Sequence, residues 1–295
     1  MVFSLNELKD SIRDTLRVYL YPNNTVSDTD LTLSDSLNVY KVSQSFKPYS
    51  KCYNTVTPYR YTVPVDVKLK KLCTPDGDLV VSLQSSNTNN QPSGTTVSSF
   101  TIAVGSTSTT FDVHNGNMVL TNMLGSATNY HLVLEPKCSA STVNCYITQM
   151  STVNKYIIGS MDIYNGSSWS STIGDLYFDF DVPNFIYTDY PRSELSKWSF
   201  PRIAIDMISR RVDQRWINTE FADYIIDFTV VAYSAYPNEL DDLLSYSDRA
   251  IFKERTAFTN MRRIDTGELT PVVVLRDNLF SRAIRYTIIY RMTNT

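Results

Sequence analysis

The sequence predicts an α+β domain that is interrupted by an inserted all-β sandwich. Its 295 residues suffice for about two domains. All four cysteines, both histidines and eight of the nine glycines lie in the middle of the chain. Residues 40–183 contain eight lysines and one arginine, whereas the rest contains three lysines and fifteen arginines. We therefore predict a discontinuous domain of residues 1–39 and 184–295, and an inserted module of residues 40–183.

The middle of the chain shows the two-residue period of β-strands. Apolar residues alternate with other types over residues 63–70, and the alternation returns over 100–104 and 130–135. This period is typical of strands with one buried face. Asp76-Gly77-Asp78 has the composition of a tight turn before the next apolar run, 79–83. Short strands at this spacing predict a sandwich of two sheets.

The flanks predict a helix, two strands, a second helix and two final strands. Ser4 to Glu7 forms a capping box, and apolar residues then recur on one helical face to about Leu20. Strands are predicted over 201–208 and 224–233, followed by a long helix with Pro237 near its first turn. Residues 271–275 and 283–292 are predicted as the last two strands, which completes an antiparallel sheet with one long helix after it.

Composition and motifs disfavour several functions. A formal net charge of -3 argues against a sequence-specific nucleic-acid surface. No apolar run approaches the length of a membrane span, and the first ten residues lack a signal-peptide layout, so we expect a soluble protein. The chain has only His114 and His131, and it lacks the P-loop, His-Glu-x-x-His and Gly-x-Ser-x-Gly motifs. We therefore predict no enzyme activity and expect both histidines to be ordinary strand and turn residues.

The cysteines and paired carboxylates predict no cofactor. Cys52, Cys73, Cys138 and Cys145 lack the paired spacing of a zinc site. Disulfides are open to them if their strands are neighbours, but a reducing cytoplasm would leave free thiols, which we expect. Asp179 and Asp181 share a strand face and could hold a structural Ca²⁺, although a solvated face is the preferred interpretation.

Two groups of residues are candidate binding sites. The first lies between the two long strands of the flanking domain and consists of Arg210, Arg211, Asp213, Arg215 and Trp216. Arginine and tryptophan are enriched in protein interfaces, so this group predicts a subunit or tail interface, with a solvated hairpin as the alternative. The second group is Tyr164, Trp169 and Tyr177, whose rings could stack on a sugar, with core or rim packing as the alternative.

The flanking domain resembles the tail terminator proteins of tailed viruses over roughly 150 residues. The similarity rests on four segments: Pro201-Arg202-Ile203-Ala204-Ile205, residues 228–234, residues 238–243 and residues 285–290. The family lacks a large module after its first helix, so the insert is a departure. The resemblance implies a homohexameric ring that caps the tail tube and contacts the tail tube protein and the neck or head-completion protein. It also implies a location in the virion after assembly in the host cytoplasm.

The inserted module resembles carbohydrate-binding modules in the segments 44–46, 67–71, 79–84, 91–94, 128–134 and 169–178. This resemblance implies a jelly-roll-like sandwich and makes glycans a candidate partner. It leaves two further hypotheses beside a decorated tail terminator. One is a distal tail or baseplate protein that binds host-surface glycans, and the other is a glycan-processing enzyme. The chain has few residues that could act as paired catalytic groups, which disfavours the hypothesis of a glycan-processing enzyme.

Overall fold

The computed structural model of the chain describes residues 5–33, 39–47, 60–72, 75–121, 129–138, 146–181, 185–188, 201–215, 221–255, 261–275 and 279–293. The described residues are mostly β-strand and contain two α-helices. The chain divides into two compact units. The discontinuous unit comprises Met1–Leu20 and Pro183–Thr295, and the inserted unit comprises Tyr21–Val182.

The described residues of the inserted unit form two antiparallel sheets. Its strands are β1 Asn23–Asn24, β2 Thr29–Leu33, β3 Lys41–Phe46, β4 Arg60–Lys71, β5 Leu79–Ser86, β6 Pro92–Ile102, β7 Asp112–Thr121, β8 Tyr130–Pro136, β9 Tyr146–Ser151, β10 Met161–Tyr164, β11 Trp169–Thr172, β12 Asp175–Leu176 and β13 Phe178–Phe180. Sheet A has the order β1-β13-β4-β9-β12, with β2 on β9 and β7 on β4. Sheet B has the order β11-β10-β3-β8-β5-β6.

The two sheets share one core, as the alternating pattern predicts. Val63, Val65, Val67 and Leu69 of β4 are fully buried. The ring of Phe46 in sheet B lies 4.2 Å, centroid to centroid, from the ring of Phe180 in sheet A. The apolar period of two therefore marks the faces that the sheets turn toward each other.

The predicted first boundary of the insert, residue 40, is wrong. Strands β1 and β2 pair with β13 and β9 of the inserted unit, and Leu33 is buried there. The side-chain amide of Asn24 also donates to the carbonyl oxygens of Asp175 and Leu176, at 3.0 Å each. Residues 21–39 contain neither lysine nor arginine. The predicted boundary rested on the change from arginine to lysine along the chain. That change therefore gives no information about residues 21–39.

The described part of the discontinuous unit contains one sheet and both of the described helices. Its elements are α1 Leu5–Leu20, β14 Ile186–Tyr187, β15 Arg202–Arg215, β16 Phe221–Ser234, α2 Pro237–Lys253, β17 Met261–Leu269, β18 Val273–Val274 and β19 Phe280–Thr293. The sheet order is β14-β15-β16-β19-β17, with β18 on β19, and only the β14–β15 pair is parallel among the described strands. The predicted strand 271–275 contributes just Val273–Val274. The charged strand β17 was not predicted, because its sequence has no apolar period.

The helices cover one part of this sheet. Helix α1 buries Leu8, Ile12 and Leu16 on the face that its apolar spacing predicts. In the sheet, the rings of Phe228 and Tyr286 stack at 4.9 Å, and the Tyr286 hydroxyl donates to Asp248 of α2 at 3.0 Å. Aromatic packing and this hydrogen bond together attach α2 to the central strands.

Candidate functional site

At one end of the β15–β16 hairpin, strand β15 is exposed on both of its faces. The strands pair from Arg202 opposite Tyr233 to Arg215 opposite Ala222. A strand with one packed face alternates between buried and exposed residues, yet the four consecutive residues 209–212 are all exposed. We call this end of the hairpin, residues 209–215 and 221–227, the arm. The β16 half of the arm also pairs with β19, from Phe221 opposite Thr293 to Asp227 opposite Thr287, so the exposed residues lie on β15. An exposed, arginine-bearing strand of this kind is suited to contact a partner.

Two predicted interface residues lie on the exposed surface of the arm. The guanidinium of Arg210 lies 4.1 Å from the ring centroid of Tyr224, which is a cation–π contact. Arg211 is exposed next to it. The side chains of Asp213 and Arg215, and the whole of Trp216, lie outside the described residues. The described part of the arm therefore presents positive charge.

A buried carboxylate holds the base of the arm. Asp227 of β16 accepts a hydrogen bond from the Ser209 hydroxyl of β15 at 2.7 Å, and its carboxylate lies 3.2 Å from the Arg285 guanidinium of β19. Burial opposes ionisation, but these hydrogen bonds hold the pKa of Asp227 below its usual value. The residue is therefore ionised at neutral pH and joins adjacent strands where the arm begins.

The opposite edge of the same sheet exposes an apolar segment. Five apolar residues between 269 and 275 are 38–65% exposed: Leu269, Val272, Val273, Val274 and Leu275. Within the described residues, β18 pairs with β19 alone, so its outer edge is open. Exposed apolar patches and open strand edges are typical of association sites.

The three aromatic residues proposed to contact a glycan do not form one site. Tyr164 of β10 and Trp169 of β11 face each other in sheet B, with ring centroids 5.2 Å apart. Tyr177 lies between β12 and β13 of sheet A, where the Lys68 ammonium sits 5.3 Å from its ring centroid. The chain crosses from one sheet to the other after β11, so nearness in sequence does not bring Tyr177 to the other two rings.

The Tyr164–Trp169 pair, by contrast, is bordered by polar groups. The Lys41 ammonium lies 5.5 Å from the Tyr164 ring centroid and 3.0 Å from the Glu135 carboxylate. The side-chain amide of Gln91 donates to the carbonyl oxygen of Trp169 at 3.2 Å. An aromatic surface next to charged donors and acceptors can stack on the apolar face of a sugar ring and bind its hydroxyls.

A buried polar row crosses sheet B, and sequence reasoning missed it. The imidazole of His131 is fully buried, and its Nε2 lies 2.9 Å from the Ser86 hydroxyl. Its Nδ1 lies 3.9 Å from the carboxylate of the buried Asp162. Burial lowers the pKa of His131 to about 4 and raises the pKa of Asp162. No motif marks these residues, because three different strands supply them.

This row has the residue types of a catalytic triad, but not its geometry. A serine nucleophile must give its proton to the imidazole and must reach a substrate. The Ser86 hydroxyl instead donates to the carbonyl oxygen of Asn129 at 2.8 Å, and the imidazole is sealed from solvent. The Nδ1-to-carboxylate separation of 3.9 Å also exceeds a hydrogen bond.

Carboxylates and cysteines were the other residues considered for metal binding. In the part of the chain that the structure describes, no three His, Cys, Asp or Glu side chains are grouped to hold a metal ion. Asp179 faces Asp66 across β13 and β4, and its pKa is raised by burial and then by Asp66 and Asp181. Cys138 is disulfide-bonded, so the expectation of free thiols is wrong for this residue. Its partner lies outside the described residues, and sequence spacing could not show which strand ends meet.

Comparisons with known proteins complete the description of these surfaces. No protein-family model matches the chain, and no curated protein matches it. Of the helices in the described residues, none is long and apolar enough to cross a membrane.

Proposed function

We propose that this chain is a structural virion protein, a tail terminator that caps the tail tube as a ring and joins it to the neck. The observation that carries the proposal is the arm, where the four residues 209–212 are all exposed. A subunit of a closed ring needs such a feature, because its partners supply the missing contacts. The resemblance in the segments around residues 201–205 and 228–234 supports the family and the six-membered ring.

The two edges of the sheet support assembly from head to tail. On one side, β14 pairs with β15 only at Ile203 and Ala204 among the described residues, which leaves the edge of β15 from residue 205 onward open. At the other edge of the sheet lies the exposed apolar segment 269–275. Two different surfaces on one subunit make a heterologous contact, which closes into a ring when the rotation between subunits is right.

Termination in this proposal is a matter of shape and charge. A closed ring stacks on the last ring of the tube, stops further addition and offers a new surface to the neck protein. Arg210 and Arg211 give the arm positive charge, which selects an acidic neighbouring surface. Asp227 holds the strands at the base of the arm in register, so the arm has a defined direction.

Tail length tests the proposal. Replacing Arg210, Arg211 and Arg215 together by Ser is expected to leave the subunit folded, because Arg210 and Arg211 are exposed and exposed changes usually cost little stability. Tails assembled with this variant should lose their uniform length in electron micrographs. A variant with Arg249→Ser and Arg255→Ser, which are exposed residues outside the arm, is the matched control. Tails of uniform length in the triple variant would contradict a role for the arm.

The Tyr164–Trp169 pair favours a second candidate, a distal tail or baseplate protein that binds host-surface glycans. Its experiment is a glycan array probed with the full chain. Trp169→Ala should abolish any signal, whereas Tyr177→Ala should keep it, because Tyr177 lies on the other sheet. A silent array, together with loss of tail termination in the arm variant, would leave the inserted unit as a decoration.

A further inference from the structure

The turn that connects β10 and β11 contains the dipeptide Asn165-Gly166. All residues of this turn, 165–168, are exposed. The backbone N–H of Asn165 donates to the carbonyl oxygen of Ser168 at 3.1 Å, and Gly166 has a φ of +95°. Glycine adopts this left-handed conformation readily. The turn therefore places a residue without a Cβ directly after Asn165.

Several hydrogen-bond donors surround the side-chain carbonyl oxygen of Asn165. The backbone N–H groups of Ser167 and Ser168 donate to Oδ1 at 3.0 and 2.9 Å, and the Ser167 hydroxyl donates at 2.9 Å. The Ser168 hydroxyl lies at 3.5 Å. A carbonyl oxygen has only two lone pairs, so Oδ1 has more donors than a neutral amide needs. Donors held in this way stabilise the negative charge that develops on an oxygen when its carbon is attacked.

We propose that Asn165 is a self-modification site, which converts to aspartate and isoaspartate through a cyclic imide. Hydroxide removes the backbone N–H proton of Gly166, and the nitrogen attacks Cγ of Asn165 and closes a five-membered ring. The negative charge that develops on Oδ1 is stabilised by the donors of Ser167 and Ser168. The bond from Cγ to Nδ2 then breaks, and the nitrogen takes a proton from water and leaves as ammonia. A second water molecule opens the imide at the side-chain carbonyl, which gives aspartate, or at the backbone carbonyl, which gives isoaspartate.

The other Asn-Gly dipeptide of the chain, Asn115-Gly116, is also formed by an exposed asparagine, but its surroundings oppose the reaction. It lies within β7, where Asn115 pairs with Asp66 and Gly116 with Val65 of β4. Ring closure would have to break this extended, paired geometry. The Asn115 side-chain amide also donates to the Asp66 carboxylate at 2.7 Å, and that negative charge opposes a second one on the same amide. Asn115 is therefore an internal control for Asn165.

The modification changes the surface next to the Tyr164–Trp169 pair, because these two residues close the turn from either side. Both products replace a neutral amide by a carboxylate, close to the Lys41 ammonium that lies over the Tyr164 ring. Isoaspartate also adds a methylene group to the main chain within the turn, where the Tyr164 hydroxyl donates to the carbonyl oxygen of Gly166 at 3.0 Å. This chemistry is independent of whether the pair binds a glycan and of the proposed role in the tail.

Peptide mass spectrometry of the full chain, aged at mildly alkaline pH, tests the proposal. The peptide that contains Asn165 should show the mass gain of deamidation about tenfold faster than the peptide that contains Asn115. Fragmentation that distinguishes the two products should find isoaspartate together with aspartate at residue 165. Equal rates at the two sites, a faster rate at Asn115, or aspartate without isoaspartate, which indicates direct hydrolysis, would overturn the proposal.

Two further measurements test the role of the turn. Ser167→Ala removes one hydroxyl donor to Oδ1 from an exposed position and should slow conversion of Asn165 by about threefold. Ser170→Ala is the matched control, because this exposed hydroxyl on β11 bonds to the Ile163 carbonyl oxygen instead, and the rate should not change. In concentrated urea, the rates at Asn165 and Asn115 should converge. An unchanged rate in Ser167→Ala, or a difference between the two sites that persists in urea, would overturn the role of the turn.

Discussion

The Asp227 carboxylate accepts a hydrogen bond of 2.7 Å from the Thr287 hydroxyl, its partner on the adjacent strand. On its other side the same carboxylate accepts from Ser209 at 2.7 Å. One buried charge therefore ties β15, β16 and β19 together at the residue where the packed sheet gives way to the arm. Such a junction helps to fix the register of the three strands at the point where β15 becomes exposed.

Asp227→Ala is expected to lower the free energy of unfolding of the discontinuous unit by about 2 kcal/mol. Hydrogen bonds to a charged group contribute about 1.5–3 kcal/mol, and the Asp227 side chain is only 8% exposed. Hydrogen exchange of the β16 amides is the measurement, because it reports this unit separately from the inserted one.

Asp241→Ala is the matched control for this prediction. Its carboxylate is 57% exposed and pairs with Arg282 on the surface. Exposed pairs contribute between zero and about 1 kcal/mol, so exchange should change little. Equal effects of the two substitutions would show that Asp227 does not lock the strands.

The inserted unit should lose stability as the pH falls from 6.5 to about 4. The unfolded chain binds a proton on His131 below its ordinary pKa of 6.5, whereas burial lowers the folded pKa to about 4. The unfolded state thus holds more protons in this window, and lowering the pH favours it by up to about 3 kcal/mol. Asp162 acts in the opposite sense, since its folded pKa is raised. Glu135, whose folded pKa is lowered, contributes only at pH values below its ordinary pKa of 4.5.

His131→Gln should flatten this pH dependence in urea unfolding measured between pH 4 and 7. His114→Gln is the comparison, because burial also lowers the pKa of His114 but by less. It should remove a smaller part of the slope. An unchanged slope in His131→Gln would show that this imidazole is not buried in its neutral form.

Gly174→Ala is expected to destabilise the inserted unit by several kcal/mol. Gly174 has a φ of +114°, and an added Cβ would lie 2.2 Å from the carbonyl oxygen of Ser151. Gly94→Ala is the control, since its φ is +81° but nothing lies within 4 Å of the added atom. There only the left-handed backbone cost of about 1 kcal/mol is expected. Thermal unfolding of both variants separates the clash from the backbone cost.

Reduction should destabilise the inserted unit alone. Cys138 is disulfide-bonded, and all four cysteines lie within residues 21–182. A disulfide typically contributes 2–4 kcal/mol. Hydrogen exchange with and without dithiothreitol should therefore show faster exchange in β8 and unchanged exchange in β16. Faster exchange in both units, or in neither, would contradict this assignment.

Local sequence patterns predicted the helices and strands better than they predicted which strands pair with each other. The period of two in residues 63–69 marks four side chains that are all buried, and the spacing of Leu8, Ile12 and Leu16 marks the buried face of α1. The predicted interface segment 210–216 remains only partly described, with Arg210 and Arg211 exposed on β15. The tail-terminator type of the discontinuous unit stays a prediction.

The sequence by itself determined the types and order of the main elements, because apolar periodicity depends on neighbours along the chain. Tertiary structure alone decided that residues 23–33 pair in the inserted unit, that Tyr177 lies on a different sheet from Trp169, and that His131, Ser43 and Asp162 meet across β3. Strand pairing joins residues far apart in the chain, and a polar side chain carries no local sign of the partner it will face. The buried row and the exposed arm both arise from such pairings, so they become visible only when the strands are assembled.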